Sequence, residues 1–308
     1  MIIVETILPV FLLITLGYLL KRIGLLQEAG ISVIKKLCCN VFLPVMAFDC
    51  LIHGTYSKDS VLLIGLEIFM LFAAFGIGFL FRPMFDEKIR GYVPYAMTTY
   101  EGGLFAWALI SIAVGKENLY YIVSMDIFSG VFVFTIMATG LKMLSGQRMS
   151  KKEVVFSICT NPVNIAVVLG FIGVAFGLGE KIDNSSCAGL YKKVTDFFIQ
   201  PMSPMILLCI GSGLVFDWNV LKKGLKLAGL RYAVQVVLCV TVLSIIYKTI
   251  GLNLILKKSL LIYFFVPSSF LLSMYATEKE TVELTSSVLS LEILISLIIY
   301  TIISIMVM

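Results

Sequence analysis

An all-α polytopic membrane protein, with ten transmembrane helices arranged as two inverted five-helix repeats with broken crossing helices, is the fold this sequence predicts. Three observations lead there. The 308 residues are 59% hydrophobic and only 14% charged, with a mean hydropathy of +1.02, so the apolar runs outnumber what a soluble core can absorb and most of the chain must lie in lipid. Apolar runs of about 20 residues recur ten times along the chain. The positions that break those runs recur in the same order in each half, and five spans per half is an odd number, so the halves insert with opposite orientation.

The spans fall near 3–20, 32–52, 60–81, 92–114, 119–141, 154–178, 189–215, 229–250, 259–276 and 283–306. Residues 1–142 form the first repeat, 143–153 a basic cytoplasmic linker (within LKMLSGQRMSKK), and 154–308 the second repeat. The first run lacks a basic leader and a small-residue cleavage site and is followed by Lys21 and Arg22, so it reads as a span and not as a removable signal. The larger share of the 24 lysines and arginines lies on the first, third, fifth, seventh and ninth connections. That face is expected to be cytoplasmic, with both termini outside, in a multi-pass cell-membrane protein. The same bias accounts for the net charge of +5 without nucleic acid.

The second span contains Asn40 and Pro44. The proline removes a backbone donor in mid-helix, and Asn40, four residues earlier, is placed to cover the carbonyl left free. The fourth carries Glu101 directly before Gly102 and Gly103. Glycines weaken a helix where no water can repair it, and a carboxylate at that depth costs at least about 2.5 kcal/mol, so this break must face protein or a wet cavity. The fifth carries Asp126 among small residues that allow close helix contact. In the second half, span six opens on Asn161-Pro162, span seven holds Pro201 and Pro204, and span nine holds Pro267-Ser268-Ser269. The separation of Pro44 from Gly103 nearly equals that of Pro204 from Pro267, so four broken helices are expected to meet near the midplane. No lysine or arginine is expected deep in any span, so an anion would be held by the free N–H groups and positive dipole ends of broken helices.

Asn161-Pro162 followed by Ala166 and Gly170, the SPMILLCIGSGL run of span seven, the DIFSG of span five and the Asn40–Pro44 break together resemble the auxin efflux carrier family, over essentially the whole chain. The resemblance implies a crossover of unwound helices that binds a small organic anion, a carboxylate or an auxin-like molecule, with one domain moving against a scaffold. The chain departs from the family in span four, where Glu101-Gly102-Gly103 and Ala106-Trp107-Ala108 replace an Asn-Thr-Gly and a Gly-x-Pro. It departs again in span ten, where Leu291-Glu292 stands in place of a Ser-Thr pair.

The candidate substrate-binding set is therefore Asn40, Pro44, Thr99, Glu101, Gly102, Gly103, Pro204, Pro267, Ser268 and Ser269. Glu101, Asp126 and Glu292 are candidates for proton or cation coupling, because a carboxyl taken out of water resists ionisation. Glu5, Asp49 and Glu67 lie nearer predicted ends or in outer spans and rank below them. The seven cysteines sit mostly in apolar runs with one histidine in the chain, His53 at a span end, so they read as packing residues. No cofactor and no metal are expected; the partners are a small-molecule substrate and the bilayer, and a homodimer is left open. Two other classes bear comparison. A transporter-like receptor or scaffold would bind a ligand without moving it. An intramembrane hydrolase would need a GxSxG, an HExxH or a shared Asp pair, and none of these is present.

Overall fold

The computed structural model describes residues 2–306 except 55, 57, 147–149, 215, 216, 270 and 277. Among the described residues every regular element is helical, as an apolar environment without water requires of a chain that does not close a barrel. Five helices are long and apolar enough to cross a bilayer: Glu28–Ile52, Ser60–Met84, Ala188–Gly213, Leu221–Thr249 and Glu280–Ile305. Large apolar side chains such as Leu80, Phe197 and Val61 lie exposed on their outer faces, where lipid would meet them. The predicted fourth, fifth, sixth and ninth spans are each divided into shorter helices.

Packing follows a regular scheme. Helix Ile2–Arg22 lies along Met202–Gly213, and Leu43–Ile52 lies along Pro162–Ala175. Helix Lys58–Phe81 packs on Val93–Thr98 and Tyr120–Phe132, and Trp218–Thr249 packs on Lys279–Met306. Gly17 and Gly211 set the first of these contacts. A Cβ on either would overlap a backbone carbonyl across the interface, of Leu208 and Ile14 respectively, so only glycine lets these helices approach so closely. The second half begins at a capping box: the Glu153 N–H donates to the Ser150 hydroxyl and the Ser150 N–H donates to the Glu153 carboxylate. That backbone hydrogen bond from Ser150 holds the Glu153 carboxyl below its usual range.

Of the four breaks expected, two unwind. Residues 99–101 are non-helical between Val93–Thr98 and Gly102–Ala106, and residues 266–269 are non-helical between Leu254–Phe264 and Leu271–Tyr275. The other two prolines are absorbed. Pro44 is the second residue of Leu43–Ile52 and follows a wide π-helical turn, Cys38–Phe42. Pro204 is in the first turn of Met202–Gly213, behind Pro201 at its N-cap. In the first turn of Met202–Gly213 a proline removes no helical bond, and at Pro44 the wide π turn before it accommodates the ring and the missing donor. The helices Glu28–Ile52 and Ala188–Gly213 stay long enough to span as a result.

Candidate functional site

The two unwound stretches cross and hydrogen-bond to each other. The Glu101 N–H donates to the Pro267 carbonyl at 2.8 Å. The Ser269 N–H donates to Thr99 Oγ1 at 3.2 Å, and the Thr99 hydroxyl donates to the Tyr95 carbonyl at 3.2 Å. The sequence explains why the chain opens here: Gly102 and Gly103 stabilise a helix poorly, and Pro267 cannot donate.

A broken helix leaves carbonyls without partners, and one helix supplies them. Arg231 Nη1 donates to the Ala96 carbonyl at 2.6 Å and Nη2 donates to the Val266 carbonyl at 3.2 Å. One turn on, Gln235 Nε2 donates to the Met97 carbonyl at 3.1 Å and its Oε1 accepts from Tyr100 Oη at 2.6 Å. A cation and an amide thus cap the last turns of both half-helices, where the dipole ends are negative. On the opposite side, Glu292 Oε2 accepts from the Ser268 N–H at 2.7 Å and the Ser268 hydroxyl at 2.6 Å. Arg231 Nε and Glu292 Oε1 lie 3.4 Å apart as an ion pair, but the geometry is not that of a hydrogen bond, and neither atom has another partner. Both residues are 0% exposed. The expectation of no deep cation therefore fails at Arg231. Its helix, Trp218–Thr249, starts before the apolar run, and Arg231 lies roughly 20 Å along it at 1.5 Å per residue.

Beside the crossing lies a cavity of about 180 Å³. Glu101, Gly102 and Gly103 form one wall with Trp107, and Ser269 and Leu271 close it from the other break. Asp126 and Ser129 enter from helix Tyr120–Phe132, and Asn161 and Asn164 from the start of Pro162–Ala175. Asn161 is the N-cap of that helix, its side chain accepting from the Val163 and Asn164 N–H groups. Two helix N-terminal ends, at Gly102 and Pro162, therefore open on the same space. The indole of Trp107 also lines it, on a residue 3% exposed, with its N–H beside the Asp126 carboxylate but short of the geometry of a full hydrogen bond. Among the described lining residues the charged ones are acids, Glu101 and Asp126.

The ten substrate-binding candidates thus separate. Glu101, Gly102, Gly103 and Ser269 line the cavity, and Thr99, Pro267 and Ser268 are buried in the crossing behind it. Segment Cys38–Phe42 packs against Gly102–Ala106, but it is Cys39 and Leu43 that reach the cavity; the Asn40 side chain is exposed and Pro44 half-buried beside them. Pro204 is exposed and lines nothing here. Among the coupling candidates, Glu101 and Asp126 face the cavity, while Glu292 is committed to Arg231 and Ser268. Sequence reasoning passed over Arg231, Trp107, Asn164, Glu67 and Tyr263. Glu67, ranked low for its outer span, is 0% exposed and lies 3.0 Å from the Tyr263 hydroxyl. Asp49 lies beside His53, which also approaches Asp183, away from this cavity, and the Glu5 side chain lies outside the described residues.

Comparison with known proteins gives the family of the chain. Residues 2–304 match the family model described as membrane transport protein, which is the auxin efflux carrier family. An uncharacterized transporter of Methanothermobacter thermautotrophicus is 25% identical, over 96% of this chain and 95% of its own length.

Proposed function

This chain belongs to the membrane transport protein family, and from that premise we propose that it is a secondary carrier, not an enzyme, for a small organic anion such as a carboxylate or an auxin-like molecule, held beside the crossing of residues 99–103 and 267–269. The observation that carries the reading is the cavity next to that crossing, on which two helix N-terminal ends open and which the indole of Trp107 lines. An anion held there needs no lysine or arginine, because the dipole ends of the two helices supply the positive potential. Glu101 and Asp126 oppose it when ionised, so the anion would load best with a proton on the wall.

The packing scheme supports the inverted repeat. If the ten spans are numbered in order, the contact of the first with the seventh has its counterpart in that of the sixth with the second, and third-on-fifth in eighth-on-tenth. Two repeats of five spans, 1–142 and 154–308 around a cytoplasmic linker, account for those pairings, with both termini outside. A cysteine placed at Ser145 in a cysteine-free background should be labelled by a membrane-impermeant maleimide only after cells are permeabilised. Labelling in intact cells would invert the topology.

Counterflow in proteoliposomes tests the function. Vesicles loaded with an unlabelled small carboxylate or indole acid should accumulate its labelled form transiently, and only when they contain the protein. If the ligand raises the thermal stability of the protein but no pair exchanges, the protein is the receptor-like binder that its altered fourth span also allows.

A further inference from the structure

Resting on the carrier reading, we propose that Glu67, Tyr263 and Asp126 form a proton-binding site, and that the single proton shared by the two carboxyls is the ion coupled to the substrate. Three helices far apart in sequence bring the groups together: Lys58–Phe81, Leu254–Phe264 and Tyr120–Phe132. Tyr263 Oη lies 2.7 Å from Asp126 Oδ1 and 3.0 Å from Glu67 Oε1. A phenol has one hydrogen, so it fills one of these contacts as donor; the other is a hydrogen bond only when a carboxyl donates to the phenol oxygen. The chain of three oxygens therefore holds one proton beyond the phenol's own, and the carboxyl pair carries one negative charge.

The surroundings place that proton on Glu67 when the cavity is empty. Glu67 is 0% exposed, and its Oε2 has no partner. That suits the carbonyl oxygen of a neutral acid, whereas an unpaired charged oxygen buried there would cost several kcal/mol. The other groups that face the site are Ser129 and Trp107 beside Asp126, Tyr100, tilted against Tyr263 with ring centroids 5.0 Å apart, and Arg231, 5.5 Å above the Tyr100 ring with its charge paired to Glu292. Asp126, unlike Glu67 and Tyr263, lines the cavity, together with Glu101.

An anion that enters beside Trp107 meets the Asp126 charge. The proton then moves: the Glu67 O–H bond breaks as a Tyr263 O–H bond forms, and the phenol's original hydrogen passes to Asp126. The phenol is regenerated, two O–H bonds have formed and two have broken, and the negative charge has shifted from the cavity wall to Glu67, away from the anion. The proton now on Asp126 leaves with the anion on the far side, and the emptied carrier returns without it; Glu67 is then reprotonated through Asp126 and Tyr263 from the loading side, so one proton crosses with each anion.

The test uses the full chain. Infrared difference spectra of the purified protein, recorded from mildly acidic to mildly alkaline pH, should show a protonated-carboxyl band that Glu67→Gln removes and that Tyr263→Phe shifts. In proteoliposomes holding a pH dye, gradients of malate or indole acetate should drive dye-reported proton flux. Tyr263→Phe and Glu67→Gln should lose that flux and slow labelled-anion counterflow at neutral pH, with counterflow recovering at acid pH, where Asp126 takes a proton directly from the cavity. Absence of the band in the parent, or its survival unchanged in both Glu67→Gln and Asp126→Asn, overturns the site. Proton flux at the parental ratio in variants that run as folded monodisperse protein overturns the coupling. A parent that shows the band with no counterflow upholds the proton site and fails the carrier reading instead.

Discussion

Arg231→Met should destabilise the folded protein by about 3–5 kcal/mol, the cost of breaking one side of a buried ion pair, and should do so without touching the cavity. Three groups lose their partner at once: the Ala96 and Val266 carbonyls, and the Glu292 carboxylate. Methionine fills much of the volume but donates nothing, so a charge is left buried in a bundle where no water can reach it. Arg231→Lys should recover only part of the loss, because one ammonium on a flexible stem cannot span two carbonyls on two helices as the guanidinium fork does. Arg231→Met with Glu292→Leu should be more stable than the sum of the single changes predicts, since it removes the orphaned charge, although the Ser268 N–H then lacks its acceptor. Thermal unfolding in detergent, followed by size-exclusion, reads all four proteins. An Arg231→Met protein as stable as the parent would show that the half-helices hold their crossing without a cap.

How the crossing is fixed also marks what the sequence can and cannot disclose. Both unwound stretches were legible, because Glu101-Gly102-Gly103 and Pro267-Ser268-Ser269 are local and each weakens a helix by itself. Pro44 and Pro204 misled because a proline's effect depends on whether it lies in the first turn, and boundaries are the least certain part of a sequence reading. Arg231 was hidden for the same reason: the apolar run seemed to begin at 229, so the arginine counted as flank to a helix that starts at Trp218. Glu67 could not be ranked from its own span at all. What makes it a candidate is Tyr263, 196 residues away in sequence, and no local pattern carries that pairing.

Gly102→Ala should leave the protein folded yet cost about a hundredfold in counterflow, the scale on which a misplacement of about 1 Å is felt at a reacting or binding group. Secondary-structure propensity argues the other way. Gly102 opens a helical stretch and its φ is not among the positive ones, so alanine fits the backbone and should stabilise the helix by up to about 1 kcal/mol. The obstacle is the Asp126 carboxylate: a Cβ at Gly102 would overlap both of its oxygens. That side chain is short and held by Tyr263 at 2.7 Å, so it cannot yield without leaving the phenol and moving into the cavity. Gly103→Ala is the control, because its Cβ meets only the flexible end of Leu43 at 3.3 Å and should lose little. If Gly102 acts through Asp126, adding Gly102→Ala to an Asp126→Ala protein should reduce exchange no further, a coupling that a double-mutant cycle measures directly. Additive losses would mean that the glycine serves the helix ends alone, and exchange at the parental rate in Gly102→Ala would mean that the Asp126 carboxylate can be displaced freely, which removes it from any part in holding substrate or proton.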